Sequence, residues 1–222
     1  SGTTNEDQST VVTLSGSDID GDDLTFSIGS ASNGTLSLSG SLVTYTPDTN
    51  YNGLDSFDFT VSDGEYSSTE TVTLTVSAVN DAPVLATVSD VSFDEDGSGS
   101  TSLSGSDVDG DTLTYNITGG SDITASLSGS DVSFSAPTNY NGSEEFTVSV
   151  TDGTETDSQS ITVTVNAVND APVATAGLSG TTNEDQSTVV TLSGSDVDGD
   201  NLTFTVGSAP NGTLELNGSL IT

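Results

Sequence analysis

Three copies of one acidic pentapeptide are the part of this sequence best suited to chemistry. Each copy reads Asp-x-Asp-Gly-Asp, and the copies begin 89 residues apart, at positions 18, 107 and 196. Their carboxylates, in chain order, are Asp18, Asp20, Asp22, Asp107, Asp109, Asp111, Asp196, Asp198 and Asp200. Clustered carboxylates repel one another, and the chain has no Lys, Arg or His to neutralise them. A hard divalent cation from solution would do so, and oxygen ligands of this kind favour Ca²⁺.

The charge of the chain excludes several classes of partner. It has 34 acidic residues, no Lys or Arg, and a net charge of −34. Affinity for nucleic acids and for anionic membranes depends mainly on Lys and Arg, so neither is expected to bind. No apolar run reaches the roughly 18 residues of a membrane span, so we expect no membrane insertion by this segment. Because Cys is also absent, metal is the expected replacement for disulfides in small extracellular domains.

The side chains that most enzyme mechanisms need are missing. Without His, Lys, Arg or Cys, the chain has only carboxylates, hydroxyls and Tyr for catalysis. A carboxylate pair can hydrolyse a glycoside, but it needs an enclosed cleft, usually lined with aromatic rings. Aromatic residues make up 5% of this chain and Trp is absent. We therefore predict that this segment is not an enzyme.

Other motifs recur with the same step of 89 residues, which indicates tandem domains. Ala-Val-Asn-Asp-Ala-Pro-Val occurs at 78–84 and 167–173, and Asn-Tyr-Asn-Gly at 50–53 and 139–142. A longer period of 178 is also present, since residues 179–222 match residues 1–44 at 36 of 44 positions. The predicted domains are residues 1–80, lacking a first strand, residues 81–169, and residues 170–222 as a partial third repeat.

Each repeat is predicted to form short β-strands separated by Gly, Asn, Asp and Ser turns. Val-Thr-Leu-Thr-Val at 72–76 alternates apolar and polar residues, as in a half-buried antiparallel sheet. In the middle repeat this pattern predicts seven strands, near residues 91–93, 101–103, 113–117, 125–127, 132–134, 145–150 and 159–165. Seven short strands in under a hundred residues are typical of an immunoglobulin-like sandwich. Pro83 and Pro172 predict short, stiff linkers between the sandwiches.

The repeats resemble the cadherin-like and immunoglobulin-like tandem repeats of giant bacterial surface and secreted proteins. Val79-Asn80-Asp81-Ala82-Pro83 resembles the cadherin linker, with its Asn-Asp pair before Pro. Asp107-x-Asp109 resembles the Asp-x-Asp that follows the second cadherin strand, and Glu95 is placed like the cadherin glutamate on the first strand. The resemblance implies an all-β fold of seven-stranded Greek-key sandwiches in a linear array, located outside the cell or on its surface.

The resemblance also implies that calcium binds where successive domains meet. The first implied ligand group is Glu6, Asp63, Asn80, Asp81, Asp107 and Asp109. The second is Glu95, Asp152, Asn169, Asp170, Asp196 and Asp198. Asp18 and Asp20 are expected to face a junction upstream of this segment. Alanines stand where the cadherin linker has further Asp and Asn ligands, so we expect one ion per junction, with Asp22, Asp111 and Asp200 as additional ligands.

Simpler interpretations exist for some of these residues. A single Asp-x-Asp-Gly-Asp is more often a polar turn than a metal site, although three evenly spaced copies with Asn-Asp linkers favour metal. Asp63-Gly64 and Asp152-Gly153 are equally typical of plain hairpin turns. Glu6 and Glu95 also fit ordinary solvated residues.

The function predicted from the sequence is structural. The segment is expected to belong to an extracellular fibre, filament or adhesin stalk that calcium makes rigid, with neighbouring repeats or chains of the same fibre as partners. The alternative is a calcium-dependent adhesion module that binds a glycan or a cell-surface protein. Residues 119–124 differ from residues 30–34, as a binding loop would.

Overall fold

The computed structural model describes all residues from Ser1 to Thr222. The chain folds into β-strands joined by turns and contains no helix. It follows that no helix is present with the length and hydrophobicity that crossing a membrane would require.

Contacts between Cα atoms divide the chain into two compact units. The first comprises Ser1–Val84, Gly105–Thr114 and Val150–Asp157. The second comprises Leu85–Ser104, Tyr115–Ser149 and Ser158–Thr222. The first unit therefore contains repeat one, its linker and two segments of repeat two.

Repeat one is a sandwich of two sheets. Its seven strands are β1 (Gly2–Asn5), β2 (Thr10–Thr13), β3 (Thr25–Ile28), β4 (Gly34–Ser39), β5 (Leu42–Pro47), β6 (Gly53–Ser62) and β7 (Ser67–Ser77). One sheet has the order β1-β7-β6-β3 and the other β2-β5-β4. β1 is parallel to β7, and the other paired neighbours are antiparallel.

The core of repeat one is built from alternate residues of these strands, as the period of two requires. On β7, Val72, Leu74 and Val76 are buried, while the Thr residues between them face solvent. On β5, Val43 and Tyr45 are fully buried. They belong to one apolar cluster that fills the space between the two sheets.

The first repeat does have an opening strand, contrary to the sequence-based expectation. Gly2 to Asn5 form β1, which pairs with Leu74 to Ser77. This stretch contains no large apolar residue, so the apolar pattern does not reveal it. The strand forms because its backbone extends the sheet along the edge of β7. Gly2 also lets β1 pack closely against Val12 of the facing sheet, because a Cβ at position 2 would lie 2.8 Å from Val12 Cγ2.

Repeat two has the same arrangement. Its strands are β8 (Val84–Leu85), β9 (Val91–Asp94), β10 (Ser98–Ser102), β11 (Gly105–Ser106), β12 (Thr114–Gly119), β13 (Thr124–Ser128), β14 (Asp131–Ser135), β15 (Gly142–Thr151) and β16 (Thr156–Asn166). Its sheets have the orders β12-β15-β16-β9 and β10-β14-β13, with β9 parallel to β16. The seven predicted strands are confirmed, and the rings of Phe134 and Phe146 meet edge to face at 5.3 Å.

The third repeat contributes five short strands. They are β17 (Val173–Ala174), β18 (Val190–Thr191), β19 (Gly194–Ser195), β20 (Leu216–Asn217) and β21 (Leu220–Ile221). β17 pairs with β19, and β18, β21 and β20 form a small sheet.

Candidate metal centre

The second pentapeptide forms a tight acidic loop directly after β11. One carboxylate oxygen each from Asp107, Asp109 and Asp111 lies within 4.8 Å of the others. The N–H of Asp111 donates to Asp107 Oδ1 at 3.2 Å, and Gly110 turns the chain with a φ of 79°. Asp107 Oδ2 is buried and has no hydrogen-bond partner. The loop therefore holds three carboxylates close together, one of them with an unsatisfied oxygen.

The linker after repeat one meets this loop. The backbone N–H of Asp81 donates to Asp109 Oδ2 at 2.8 Å. Asp81 Oδ2 is likewise buried without a hydrogen-bond partner. Asp81 and Asp109 both belong to the first compact unit, so this contact between linker and loop lies within that unit.

Glu6 is the third component, and it comes from the end of β1. Its side chain is 4% exposed, so it is not the solvated residue of the simpler interpretation. Its Oε1 accepts the N–H of Val79 at 2.6 Å, and its own N–H donates to Ser77 O at 3.0 Å. Its Oε2 is buried and has no hydrogen-bond partner. Because buried polar atoms are nearly always paired, an unpaired carboxylate oxygen requires an explanation.

The electrostatics of the cluster are unfavourable for its own charges. Burial raises the pKa of Asp81, and the negative charges of Asp109, Glu6, Asp7 and Asp107 raise it further. No cationic side chain exists in this chain to offset them. The carboxylates are therefore held together by the fold against their repulsion, as in a site completed by a cation.

Asp7 and its counterpart Asp96 belong to these clusters, although sequence reasoning missed both. Asp7 adopts a φ of 55°, which turns the chain after β1, and its Oδ1 accepts the N–H of Asn50 at 3.1 Å. Asp96 has a φ of 59° and accepts the N–H of Asn139 at 3.1 Å. The available signal was the dipeptide Glu-Asp, which recurs at 6, 95 and 184 with the 89-residue step.

The second linker repeats the arrangement within the second unit. Glu95 is 7% exposed, and its Oε1 accepts the N–H of Val168 at 2.6 Å. The N–H of Asp170 donates to Asp198 Oδ2 at 2.6 Å, and Asp170 Oδ2 is buried and unpaired. Burial raises the pKa of Asp170, and its neighbours add to the shift, namely Asp198, Asp96, Glu95 and Asp196. The second linker thus repeats the hydrogen bonds of the first and one of its three unpaired carboxylate oxygens.

The structure separates Asp63 from the first linker, so its placement in the first ligand group is wrong. Asp63 precedes β7, whereas Asn80 and Asp81 follow the other end of this 11-residue strand. At about 3.3 Å per residue the two ends are roughly 30 Å apart. Asp63 is a turn residue instead: its Oδ1 accepts the N–H groups of Tyr66 and Glu65, which lower its pKa.

Asp152, predicted to lie with the second linker, contacts the first one. The Nδ2 of Asn80 donates to Asp152 Oδ2 at 2.9 Å, and this bond is the main cause of the lowered pKa of Asp152. Asp152 precedes β16 and Asn169 follows it, so the grouping of these two residues is also wrong. Asn80 therefore uses its amide to hold the β15–β16 turn, while the Asn169 amide donates to Asp170 O at 2.8 Å.

The remaining pentapeptide carboxylates occupy similar turns. Asp18 Oδ1 accepts the N–H groups of Asp20, Gly21 and Asp22 at 2.8, 2.9 and 3.3 Å. Asp196 Oδ1 accepts those of Asp198 and Asp200 at 3.1 and 3.2 Å. The third carboxylates Asp22, Asp111 and Asp200 are exposed. Each pentapeptide is thus a self-contained turn. In the second and third copies a linker residue also donates to the turn: Asp81 to Asp109 and Asp170 to Asp198.

Structures of cadherin ectodomains show a similar fold. The structure described as PcdhgB3 EC1-4 is 12% identical, with a TM-score of 0.57 over 99% of this chain and 64% of that chain. Drosophila N-cadherin EC1-4 is 12% identical, with a TM-score of 0.49 over 100% of this chain and 63% of that chain. At 12% identity, the likeness to PcdhgB3 EC1-4 concerns the fold alone. With a TM-score of 0.49, the N-cadherin structure supports no conclusion.

An enzyme also appears among the similar structures. The endo-fucoidan hydrolase MfFcnA4 from glycoside hydrolase family 107 is 25% identical, with a TM-score of 0.32 over 75% of this chain and 27% of that chain. This chain spans about a quarter of that protein's length, and a TM-score this low carries no conclusion about activity. Among curated proteins there is no match.

A family match covers nearly the whole chain. The bacterial Ig domain matches three times, at residues 1–76, 80–165 and 169–222. The two gaps, residues 77–79 and 166–168, each end directly before the Asn-Asp pair of a linker. Together with the two-sheet sandwiches described above, these matches show that the chain belongs to the bacterial Ig domain family.

Proposed function

We propose that the two linker clusters bind Ca²⁺ and that the ion makes this chain a stiff segment of an extracellular fibre or adhesin stalk. Immunoglobulin-like and cadherin-like repeats are structural or adhesion modules of extracellular proteins, which is consistent with this function. The observation that carries the proposal is the set of buried carboxylate oxygens without partners: Glu6 Oε2, Asp81 Oδ2, Asp107 Oδ2 and Asp170 Oδ2.

An unpaired buried oxygen is costly, and three of these four lie at the first linker, while the fourth, Asp170 Oδ2, is the counterpart of Asp81 Oδ2 at the second. Leaving a buried acceptor unsatisfied costs about 1–3 kcal/mol, and more when the group is charged. A fold that retains this cost at two linkers has a reason to do so. A bound cation removes the cost because it supplies the missing partner and offsets the repulsion that raises the pKa of Asp81 and Asp170.

The donor set fits calcium better than other common metals. At the first linker it comprises the carboxylates of Glu6, Asp7, Asp81, Asp107, Asp109 and Asp111. At the second linker it comprises those of Glu95, Asp96, Asp170, Asp196, Asp198 and Asp200. The chain has no Cys or His, which zinc and copper prefer. Calcium accepts six to eight oxygens in flexible geometry, and extracellular modules bind it at about 10⁻⁴ to 10⁻³ M.

Calcium would act mechanically in this role. Its ligands come from the end of a repeat's first strand, from the linker and from the pentapeptide loop that follows. A single ion bound by all three segments fixes the linker conformation. The proposed partners are accordingly neighbouring repeats or chains of the same fibre, and the family gives no reason to expect catalysis.

The test measures calcium dependence with a matched pair of variants. Chelation of the wild-type protein should lower the melting temperature by roughly 5–15 °C, and 10 mM calcium should restore it. Small-angle X-ray scattering should show a more flexible chain after chelation. Glu6→Gln keeps the shape of a buried ligand and removes its charge, so it should weaken calcium binding at the first linker by about tenfold or more.

The control for this variant is Glu184→Gln. Glu184 occupies the equivalent sequence position but is exposed, so its replacement should leave calcium binding unchanged. If neither the melting temperature nor the scattering profile changes with calcium, the proposal is refuted. Equal effects of the two substitutions would show that burial at the linker is irrelevant.

A further inference from the structure

A cavity lies beside the first linker, on the side where Asp109 and Asp111 are exposed. Its volume is about 410 Å³, within the range of small-molecule sites. Three side-chain amides line it, those of Asn50, Asn52 and Asn80. The whole cavity belongs to the first compact unit. It is therefore a formed recess next to the cluster that we propose to bind calcium.

The polar groups of this cavity suit a neutral ligand rich in hydroxyl groups. The side-chain amides of Asn50 and Asn52 make no hydrogen bond within the chain, so each offers both a donor and an acceptor. Asp109 and Asp111 add acceptors. A free anion is disfavoured by the surrounding carboxylates, and no cationic side chain offsets them.

The cavity also has an apolar surface. Val79 of the linker and Val108 of the pentapeptide both line it, and they are 45% and 57% exposed. Neither side chain is part of the sandwich core. Sugar rings present C–H faces as well as hydroxyl edges, so amides, carboxylates and exposed aliphatic groups in one recess match a pyranose ring on both counts.

The residues that line this cavity have identical counterparts one repeat further along the chain. Asn50, Asn52, Val79, Val108 and Asp111 correspond to Asn139, Asn141, Val168, Val197 and Asp200. Aligned at the 89-residue step, repeats one and two differ at more than half of their positions. Val108 is 57% exposed and the side chain of Asn52 makes no hydrogen bond within the chain, so both remain available to a ligand.

We propose that this cavity is a calcium-dependent binding site for a neutral saccharide with adjacent hydroxyl groups. The inference rests on the proposed calcium site, because Asp109 and Asp111 both belong to that cluster and line the cavity. The six carboxylates of that cluster would leave up to two of the six to eight coordination positions of a calcium ion for an outside ligand. Two adjacent sugar hydroxyls would suit such positions, while the amides of Asn50 and Asn52 would hydrogen-bond the rest of the ring.

The test uses simple glycosides and two separate readouts. Methyl α-mannoside, methyl α-fucoside and methyl β-galactoside are offered to the calcium-loaded chain, and binding is measured by saturation-transfer NMR. At least one should bind, and chelation should abolish its signal. Asn52→Ala with Asn141→Ala removes one amide at each linker and should weaken binding roughly fivefold. Calcium-dependent melting should be unchanged in this variant.

The matched control is Ser37→Ala with Ser126→Ala, an equivalent pair of exposed strand residues outside the cavity. It should bind the glycoside as the wild type does. Absence of binding to all three glycosides, with calcium-dependent melting intact, would overturn this inference and leave the proposed function standing. A signal that survives chelation would overturn it too, whereas loss of calcium-dependent melting in the wild type would overturn both.

Discussion

The first and second pentapeptide loops have nearly identical sequences and different surroundings. Residues 18–22 and 107–111 differ only in Ile19 against Val108. In the first loop, Asp18 satisfies N–H groups of its own turn. In the second, Asp109 also accepts the N–H of linker residue Asp81, and Asp107 keeps a buried, unpaired oxygen. The motif by itself specifies a turn, and a second segment of the chain converts that turn into a candidate metal site.

The largest difference between the loops is expected when their first two carboxylates are removed. Asp107→Ala with Asp109→Ala should abolish calcium stabilisation at the first linker, which is about 1–3 kcal/mol at about 10 mM calcium. Asp18→Ala with Asp20→Ala removes the same charge from the other loop and should leave this stabilisation unchanged. Calorimetry with and without calcium measures both. Equal losses would mean that the surroundings do not distinguish the loops.

A smaller effect is expected from the turn glycines. Gly21 and Gly110 have φ values of 85° and 79°, and an added Cβ would meet no atom within 4 Å at either position. Alanine there costs about 1 kcal/mol through backbone strain alone, so both variants should lose similar stability without calcium. Only Gly110→Ala should also weaken calcium binding, because its turn positions Asp109 and Asp111. Calcium titration of the two variants checks this, and identical affinities would contradict it.

The pKa of the linker residue Asp81 and that of the turn residue Asp63 are shifted in opposite directions. Without calcium the pKa of Asp81 is raised, so its ionised form destabilises the fold at neutral pH and this penalty is relieved as pH falls through the raised value. The pKa of Asp63 is lowered, so its stabilisation is present above pH 3.8 and lost as pH falls further. Carboxyl-carbon NMR of the chelated protein should place the two on opposite sides of 3.8.

The smallest effect is expected from making the two loops identical. Val108→Ile gives the second loop the residue pattern of the first, at a side chain that is 57% exposed. Calcium-dependent melting should not change measurably, since no ligand is altered. A substantial loss would show that the aliphatic residue, and not the linker, accounts for the difference between the loops.

The strands were largely predictable from sequence. Alternating residues such as those of β7 report directly which face is buried, and the seven strands of repeat two follow from that pattern. β1 was not predicted, because its Thr-rich sequence lacks the apolar alternation and its position depends on the edge of β7.

Part of the site was predictable from motifs that resemble the cadherin linker, loop and first strand, including Glu6, which lies 73 residues from its linker partner Val79. Linker and pentapeptide motifs identified Asp81, Asp107 and Asp109, which do meet. Asp63 and Asp152 each lie in a turn before a long strand, and the linker follows that strand. Which turn lies near which linker depends on strand pairing, and the residue pattern does not reveal it. Asp7 was missed because its role depends on a left-handed backbone conformation that its residue type only permits.

The parallel pairing of β1 with β7 has a consequence for tension. The chain enters this pair at one end and leaves it at the other, so pulling on the two ends of the repeat slides the strands along each other. All the hydrogen bonds between them then resist together, whereas strands pulled apart from one end would separate one bond at a time. β9 and β16 provide the same shear arrangement in repeat two. The strand order of each sandwich would therefore load these hydrogen bonds in shear, whether or not an ion is bound.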